Sequence, residues 1–272
     1  MDAQIVALYC LCDDVLKALH HDEDPQRQMS DAEVMTTAIV AALHFGGHWE
    51  RARDLLQEGG YIPTMLGKSR FNRRLHAIAD LFLIVFQMVG ELFKQLNADS
   101  VYVIDSFPVP MCDNIRIPRA QLYDDEDYRG YIASKRRYFY GVKIHLLVTG
   151  TGEPIEVFLT PGATADVSAL SQFSFDLPEG STVYADRAYN YYLIEDLLQQ
   201  AGIHLLPIRK KNSTRSVPLY VAYLQARGRK IVETAGSLIN RLLPKSIHAV
   251  TPRGFELKVM LFVLAYSVSC AV

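Results

Sequence analysis

The sequence predicts an α/β protein in which an all-helical N-terminal region precedes a mixed sheet flanked by helices. Three observations carry this. Apolar residues recur at helical spacing through residues 1–96, and from residue 101 the periodicity turns extended. Two runs of β-formers, VYVIDSFPVP from Val101 and TVYADRAY from Thr182, then each deliver one aspartate, Asp105 and Asp186, as the run breaks. A chain of 272 residues, half of them hydrophobic, can bury a sizeable core in one large or two small domains. We divide it at 98/99, with a short basic loop at 209–218 inside the second part.

In the first helix Ile5, Leu8, Leu11, Val15 and Leu19 fall near helical spacing, and HHDEDP closes it. Ser30 and Glu33 form a capping box for the second, which Gly46-Gly47 stops. A third runs Trp49–Glu58 and carries Arg51 and Arg53. The stretch GKSRFNRRLH places Lys68, Arg70, Arg73 and Arg74 on or beside a turn into a fourth. Such cations can grip phosphates or can form a solvated helix face, and both readings stand. Two apolar stretches, Leu81–Val89 and Val259–Val272, are shorter than the roughly 20 residues that cross a bilayer and are expected as core helices.

In the second part the prolines flanking Val109 are expected to end the first strand soon after Asp105. A polar stretch follows, Cys112–Lys135, with acids at Asp124–Asp127. A hairpin comes next: Tyr138–Thr149, a Gly150-Thr151-Gly152 turn, and Pro154–Thr160. The first three strands are therefore antiparallel. Thr182–Asp186 supplies a fourth, Tyr191–Gln200 a helix and Ile203–Pro207 a fifth. Arg209–Arg215 reads as a basic loop with Arg209, Lys210 and Lys211. Leu219–Leu243 is helical, with Arg227, Arg229, Lys230 and Arg241 around one acid, Glu233.

The net charge of −2 conceals segregation: residues 1–50 carry −7, 51–145 carry +3, 146–208 carry −7 and 209–272 carry +9. Polyanion binding depends on local cation density, so the balance excludes a uniformly basic binder and leaves basic patches available. Cys10, Cys12, Cys112 and Cys270 form no CxxC pair, and Met1–Tyr9 lacks the basic start of a signal peptide. A reducing, cytoplasmic compartment is expected. His44 and His48 stand four apart, but the glycines between them break the helix a metal pair would need.

Taken singly, Asp105 is a capping residue or a site residue, and Glu233 a salt-bridge partner or a ligand. Together, three carboxylates from two strand ends and a helix can hold two magnesium ions about 3.5–4 Å apart. That chemistry activates water or a 3′-hydroxyl for in-line phosphoryl transfer, and the surrounding cations suit an incoming DNA backbone.

The blocks VYVIDSFPVPMCDN, YFYGVKIHLLVTGTGEPIEVFLTPGATADV, VYADRAYN and RKIVET, in that order, resemble the DDE transposases of bacterial insertion sequences, and within them the group named for insertion sequence 982. The resemblance covers nearly the whole chain from about residue 30. It implies a ribonuclease H-like catalytic domain behind a helical DNA-binding and dimerisation domain, with Asp105, Asp186 and Glu233 as catalytic metal ligands. It implies two Mg²⁺ ions, Mn²⁺ able to substitute, and double-stranded DNA, element ends and target, as partner of a homodimer in a synaptic complex. No membrane and no small-molecule substrate is implied. Asp166 would hold a loop after the third strand, and Asp113 is a polar neighbour. Relatives often place Tyr, Arg and Lys around the last acid; here Arg229 fits, while the Tyr and Lys positions are Ala226 and Asn240. Arg229, Lys230 and Arg241 are then the phosphate-binding candidates, with Arg51, Arg53, Lys68, Arg70, Arg73, Arg74, Arg209, Lys210 and Lys211. The rivals are a nuclease on the same fold that cleaves without joining, and a catalytically silent DNA-binding derivative.

Overall fold

The computed structural model describes residues 1–112, 117, 122–123, 125–132 and 135–271; Asp113 and Asp124, singled out above, lie outside the described residues. The chain divides into two compact units, Met1–Val89 with Leu238–Val272, and Gly90–Ser237.

The first unit is helical. Its centre is α2 (Asp31–His44), packed by α1 (Asp2–Ala18), α3 (Trp49–Glu58), α4 (Lys68–Ala77) and α9 (Pro252–Ala271). Small and β-branched residues let neighbours approach from several sides, and every residue of α2 from Asp31 to Ala42 except Glu33 is buried. The capping box forms: Glu33 N donates to Ser30 Oγ at 3.1 Å and Ser30 N to Glu33 Oε2 at 2.6 Å. Gly46 and Gly47, at φ +55° and +79°, end the segment in a conformation that side chains resist. The last helix is a core helix, as expected, but longer than the apolar stretch read from the sequence. At 20 residues α9 is long and apolar enough to cross a membrane, but 67% of its apolar window is buried within the protein and it packs on α2. It also clusters with the N-terminal helices, whereas the division at 98/99 grouped it with the sheet.

The second unit is a ribonuclease H-like mixed sheet flanked by helices. Its strands are β1 (Val101–Cys112), β2 (Arg129–Ile132), β3 (Arg137–Thr149), β4 (Pro154–Pro161), β5 (Thr182–Ala185) and β6 (His204–Pro207). Their order is β2-β3-β1-β5-β6, with β4 also paired to β3. The pairs β1/β3, β2/β3 and β3/β4 are antiparallel, and β1/β5 and β5/β6 are parallel. The short β2 falls in the stretch read as polar and was missed. The helices are α5 (Ala79–Leu96), which enters from the first unit, α6 (Asp166–Ala169), α7 (Tyr192–Gln200) and α8 (Leu219–Leu242), which runs back into it.

Contrary to expectation, β1 does not stop after Asp105 but pairs with β3 as far as Cys112. The reason lies in which edge the prolines face. Ser100 O accepts from Thr182 N on the β5 side, whereas Val101 O accepts from Gly150 N on the β3 side. Even-numbered residues therefore face β5, and β5 pairs only with Val101–Ile104. Beyond that point Ser106, Pro108 and Pro110 face an open edge, where a missing N–H breaks no ladder.

Candidate active site

The β1/β5 register fixes two carboxylates side by side. Ile104 pairs with Ala185, and the next residue on each parallel strand is an aspartate, Asp105 and Asp186. Parallel neighbours in register turn successive side chains to the same faces, so the two acids leave the sheet together where β5 ends. Each is held by the backbone just beyond it: Ser106 N donates to Asp105 Oδ1 at 2.8 Å, and Arg187 N to Asp186 Oδ1 at 2.5 Å.

The third acid comes from α8. Gly228, Val232, Ala235, Gly236 and Ile239 form its buried stripe, and Gln225 anchors it by donating to the carbonyls of Leu206 and Pro207 at 3.0 and 3.1 Å. At Gly228 a Cβ would meet Tyr184 Cδ2 and Val103 Cγ2, each at 3.2 Å, so glycine lets the helix lie close on β1 and β5. Arg229 and Glu233 stand one turn apart on α8, and Arg229 reaches Asp186 just past the end of β5. Arg229 Nε donates to Glu233 Oε1 at 2.7 Å, and Nη1 stands 3.4 Å from Asp186 Oδ1. One guanidinium thus links two of the three predicted acids, Glu233 about half exposed and Asp186 about a third.

Asp105 is perturbed by its surroundings. Burial, partly offset by the Ser106 N–H and reinforced by the neighbouring charge of Asp186, pushes its carboxyl up to about 7. A fourth acid, Asp166, stands close. It accepts from Ser106 Oγ at 2.8 Å and from Lys143 Nζ at 3.2 Å, and Lys143 also donates to Thr164 O at 2.7 Å. Asp166 therefore does tie the segment after β4 to the sheet, but against the strand that carries Asp105. Tyr189 is fully buried among these groups; burial first, then the charges of Asp166 and Asp105, hold its phenol well above its ordinary value. The sequence reading overlooked Ser106, Lys143 and Tyr189. Their signal was faint: a serine beside an aspartate, a lysine alternating among apolar strand residues, and a tyrosine three after Asp186.

The acids suit a hard divalent cation: carboxylate oxygens are the donors such ions take, and Arg229 already bridges two of these carboxylates. Among the described residues, however, three ligand atoms lie within 4.8 Å of one another at only one place, His21, Glu23 and Asp31 in the helical unit. Those carboxylates serve other partners. Arg74 donates to Asp31 Oδ1 from Nε at 3.1 Å and Nη2 at 2.6 Å, and Arg27 pairs with Glu23.

The predicted phosphate-binding cations fall into two sets. Arg74 is spent on Asp31, and Arg209 forms a fork on the buried Glu195, Nη1 to Oε1 at 2.7 Å and Nη2 to Oε2 at 2.9 Å, with Arg215 at 3.1 Å. Their charges are paired with carboxylates inside the fold. Arg51, Arg70, Arg73, Lys210, Lys211, Arg229, Lys230 and Arg241 are exposed. Lys68 is exposed and paired with Glu50 at 2.7 Å, and Arg53 is partly buried with its guanidinium 6.0 Å from the Phe71 ring.

A family model described as the transposase DDE domain matches residues 95–247. No curated protein matches the chain. Among solved structures it is similar to a piggyBac transposase synaptic complex with hairpin DNA, determined by cryo-EM, at 10% identity and a TM-score of 0.49; the match covers 98% of this chain and 75% of that one.

Proposed function

The chain belongs to the transposase DDE domain family, and we propose that it is a DNA transposase that binds the terminal inverted repeats of an insertion sequence, cleaves at them and joins the ends to target DNA. The insertion sequence 982 group is the subfamily its ordered blocks resemble. The observation that supports the reading is that Asp105 and Asp186 follow an in-register pair on adjacent parallel strands while Arg229 links Asp186 to Glu233.

Asp105, Asp186 and Glu233 would hold Mg²⁺ or Mn²⁺, two ions per site. When bound, these ions supply Lewis acidity that activates an attacking hydroxyl and steadies a departing oxygen. The protein's own groups position the strand. Hydrolysis forms a bond from water oxygen to phosphorus and breaks the bond to the 3′-oxygen, which leaves as a 3′-hydroxyl opposite a 5′-phosphate. Joining repeats the displacement with that hydroxyl as nucleophile on a target phosphodiester. Arg229, Lys230 and Arg241 on α8, with Lys210 and Lys211 on the preceding loop, provide phosphate contacts along this face. Arg51, Arg53, Lys68, Arg70 and Arg73 of the helical unit contact end sequences, and joining two ends calls for a homodimer. The setting is the bacterial cytoplasm, on the nucleoid.

The test is cleavage of a labelled duplex carrying the ends of the encoding element, with Mg²⁺ or Mn²⁺, comparing wild type with Glu233→Gln. Nicks at the ends, lost in the variant while end binding persists, are expected. Equal cleavage by both removes Glu233 from the site. Binding without cleavage by wild type identifies a silent derivative, and cleavage without joining of pre-cut ends identifies a nuclease.

A further inference from the structure

The helical unit contains a cavity of about 700 Å³ that the carboxylate site does not use. Arg53 and Lys68 line it from α3 and α4, and Lys245, His248 and Lys258 from the C-terminal segment and α9, with Trp49 in its wall. Glu50 is the one carboxylate among the described lining residues, and Lys68 engages it. Several features leave positive potential pointing inward. Arg53 Nε is buried without a partner among the described residues. The Lys258 ammonium lies 5.8 Å from the centre of the Trp49 ring and donates to His248 O, and burial holds it below its ordinary value. The ten-residue helices α3 and α4 begin at the cavity, and neither has a side-chain cap on its first amides. Uncapped amides at a helix start attract phosphate oxygens.

Shape decides what such a site takes. An intact duplex lies along a convex or shallow basic surface, whereas a concave pocket with cations and an aromatic wall fits a single nucleotide whose base has left the stack. About 700 Å³ is within the range of pockets that enclose such a unit. We propose that this cavity is a socket for one unpaired nucleotide of a DNA strand, its phosphate held by Arg53, Lys245 and Lys258 and its base against Trp49. The proposal rests on the transposase reading and assigns the helical unit a preference for DNA with an unpaired end or an extruded base.

Trp49 is the only tryptophan of the chain, so its fluorescence reports on this cavity alone. The full chain in EDTA, which prevents cleavage, is titrated with a blunt duplex carrying the element ends, with the same duplex bearing a short single-stranded thymidine tail, with thymidine monophosphate and with inorganic phosphate. The tailed duplex is expected to quench Trp49 and to bind about tenfold tighter than the blunt one. Lys258→Gln and Lys245→Gln are expected to erase that difference and to lower the log–log salt slope of the tailed complex by about 0.7 each. Lys245 is exposed, so its variant keeps the test valid if Lys258→Gln fails to fold. Equal affinity and equal quenching by tailed and blunt duplexes overturn the socket while leaving the transposase reading intact. Saturation by the mononucleotide or phosphate as readily as by the tailed strand overturns it in favour of a small-anion site. Failure to bind any duplex defeats both readings.

Discussion

Arg229 donates from Nε to Glu233 at 2.7 Å while its Nη1 reaches to 3.4 Å from Asp186, so a side chain of α8 occupies the position of a counter-cation between two carboxylates. Its own protonation is reinforced first by the Glu233 hydrogen bond and then by the charge of Asp186. A divalent ion arriving at Asp186 and Glu233 must displace this guanidinium. Arg229→Gln is therefore expected to tighten Mn²⁺ binding, measured by calorimetry without DNA. Exposed pairs are worth about 0.2–1 kcal/mol, so the gain is at most about fivefold. End cleavage by the same variant should fall under the proposed function, which gives the arginine a phosphate contact. Unchanged or weaker ion binding would show that the guanidinium does not compete for the site.

The close approach at Gly228 makes a second prediction. Its missing side chain lets α8 settle against Tyr184 and Val103, and Glu233 sits little more than one turn further on. Gly228→Val has no room and must lift the helix, at about 1–3 kcal/mol. The thermal midpoint should drop, and end cleavage should be lost even at temperatures where the variant remains folded. Gly67→Val, at the N-cap of α4 where a Cβ meets nothing within 4 Å, is the control for replacing a glycine without crowding.

Much of this was legible in the chain because it rests on local pattern. The change from helical to extended periodicity near residue 100, the Ser30–Glu33 box and the β-former runs that carry Asp105 and Asp186 lie within a few residues of what they specify. What could not be read depends on partners distant in sequence. Pro108 and Pro110 suggested the end of a strand, and only the early end of β5 shows that they face an open edge. Arg209 looked like a phosphate ligand beside Lys210 and Lys211 until α7 placed Glu195 beneath it. Composition could not distinguish these arginines, since an exposed cation and one buried on a carboxylate share the same basic loop.

His145 gives the fold a pH response. It is fully buried, bonded through Nε2 to Thr160 Oγ1 at 2.9 Å and stacked on Phe158. Burial lowers its imidazole to about 4, with Asp166 opposing and Lys143 assisting that shift. Below about pH 6.5 the unfolded chain takes up a proton that the native ring refuses, so this residue's contribution to stability is lost as pH falls towards 4. Its full size is on the order of 3 kcal/mol. Asp105 has the opposite sign. Raised to about 7, it is protonated when native over a range where the unfolded carboxyl is ionised, and its contribution is lost as pH rises towards 7. In EDTA the two slopes offset each other, and wild-type stability should change little between pH 7 and 4. Asp105→Asn leaves the histidine alone, and its denaturant midpoint should fall steadily with acid. A flat profile for that variant would remove His145 from the account.

The two kinds of cation in the 209–215 loop can be separated experimentally. Glu195 is only 4% exposed at its side chain and takes both Arg209 amines, with Arg215 as a second partner. Arg209→Leu leaves that carboxylate short of charge in a buried position, at about 3 kcal/mol. Its thermal midpoint should fall by several degrees. Lys210 and Lys211 are exposed, and their alanine variants should melt as wild type does. If the loop tracks a DNA backbone, each lysine removed weakens duplex binding for all sequences alike and lowers the log–log salt slope by about 0.9. A lysine variant with an unaltered slope would take the loop out of the DNA interface. An Arg209 variant that kept wild-type stability but lost affinity would return that arginine to the phosphate role its neighbours suggested.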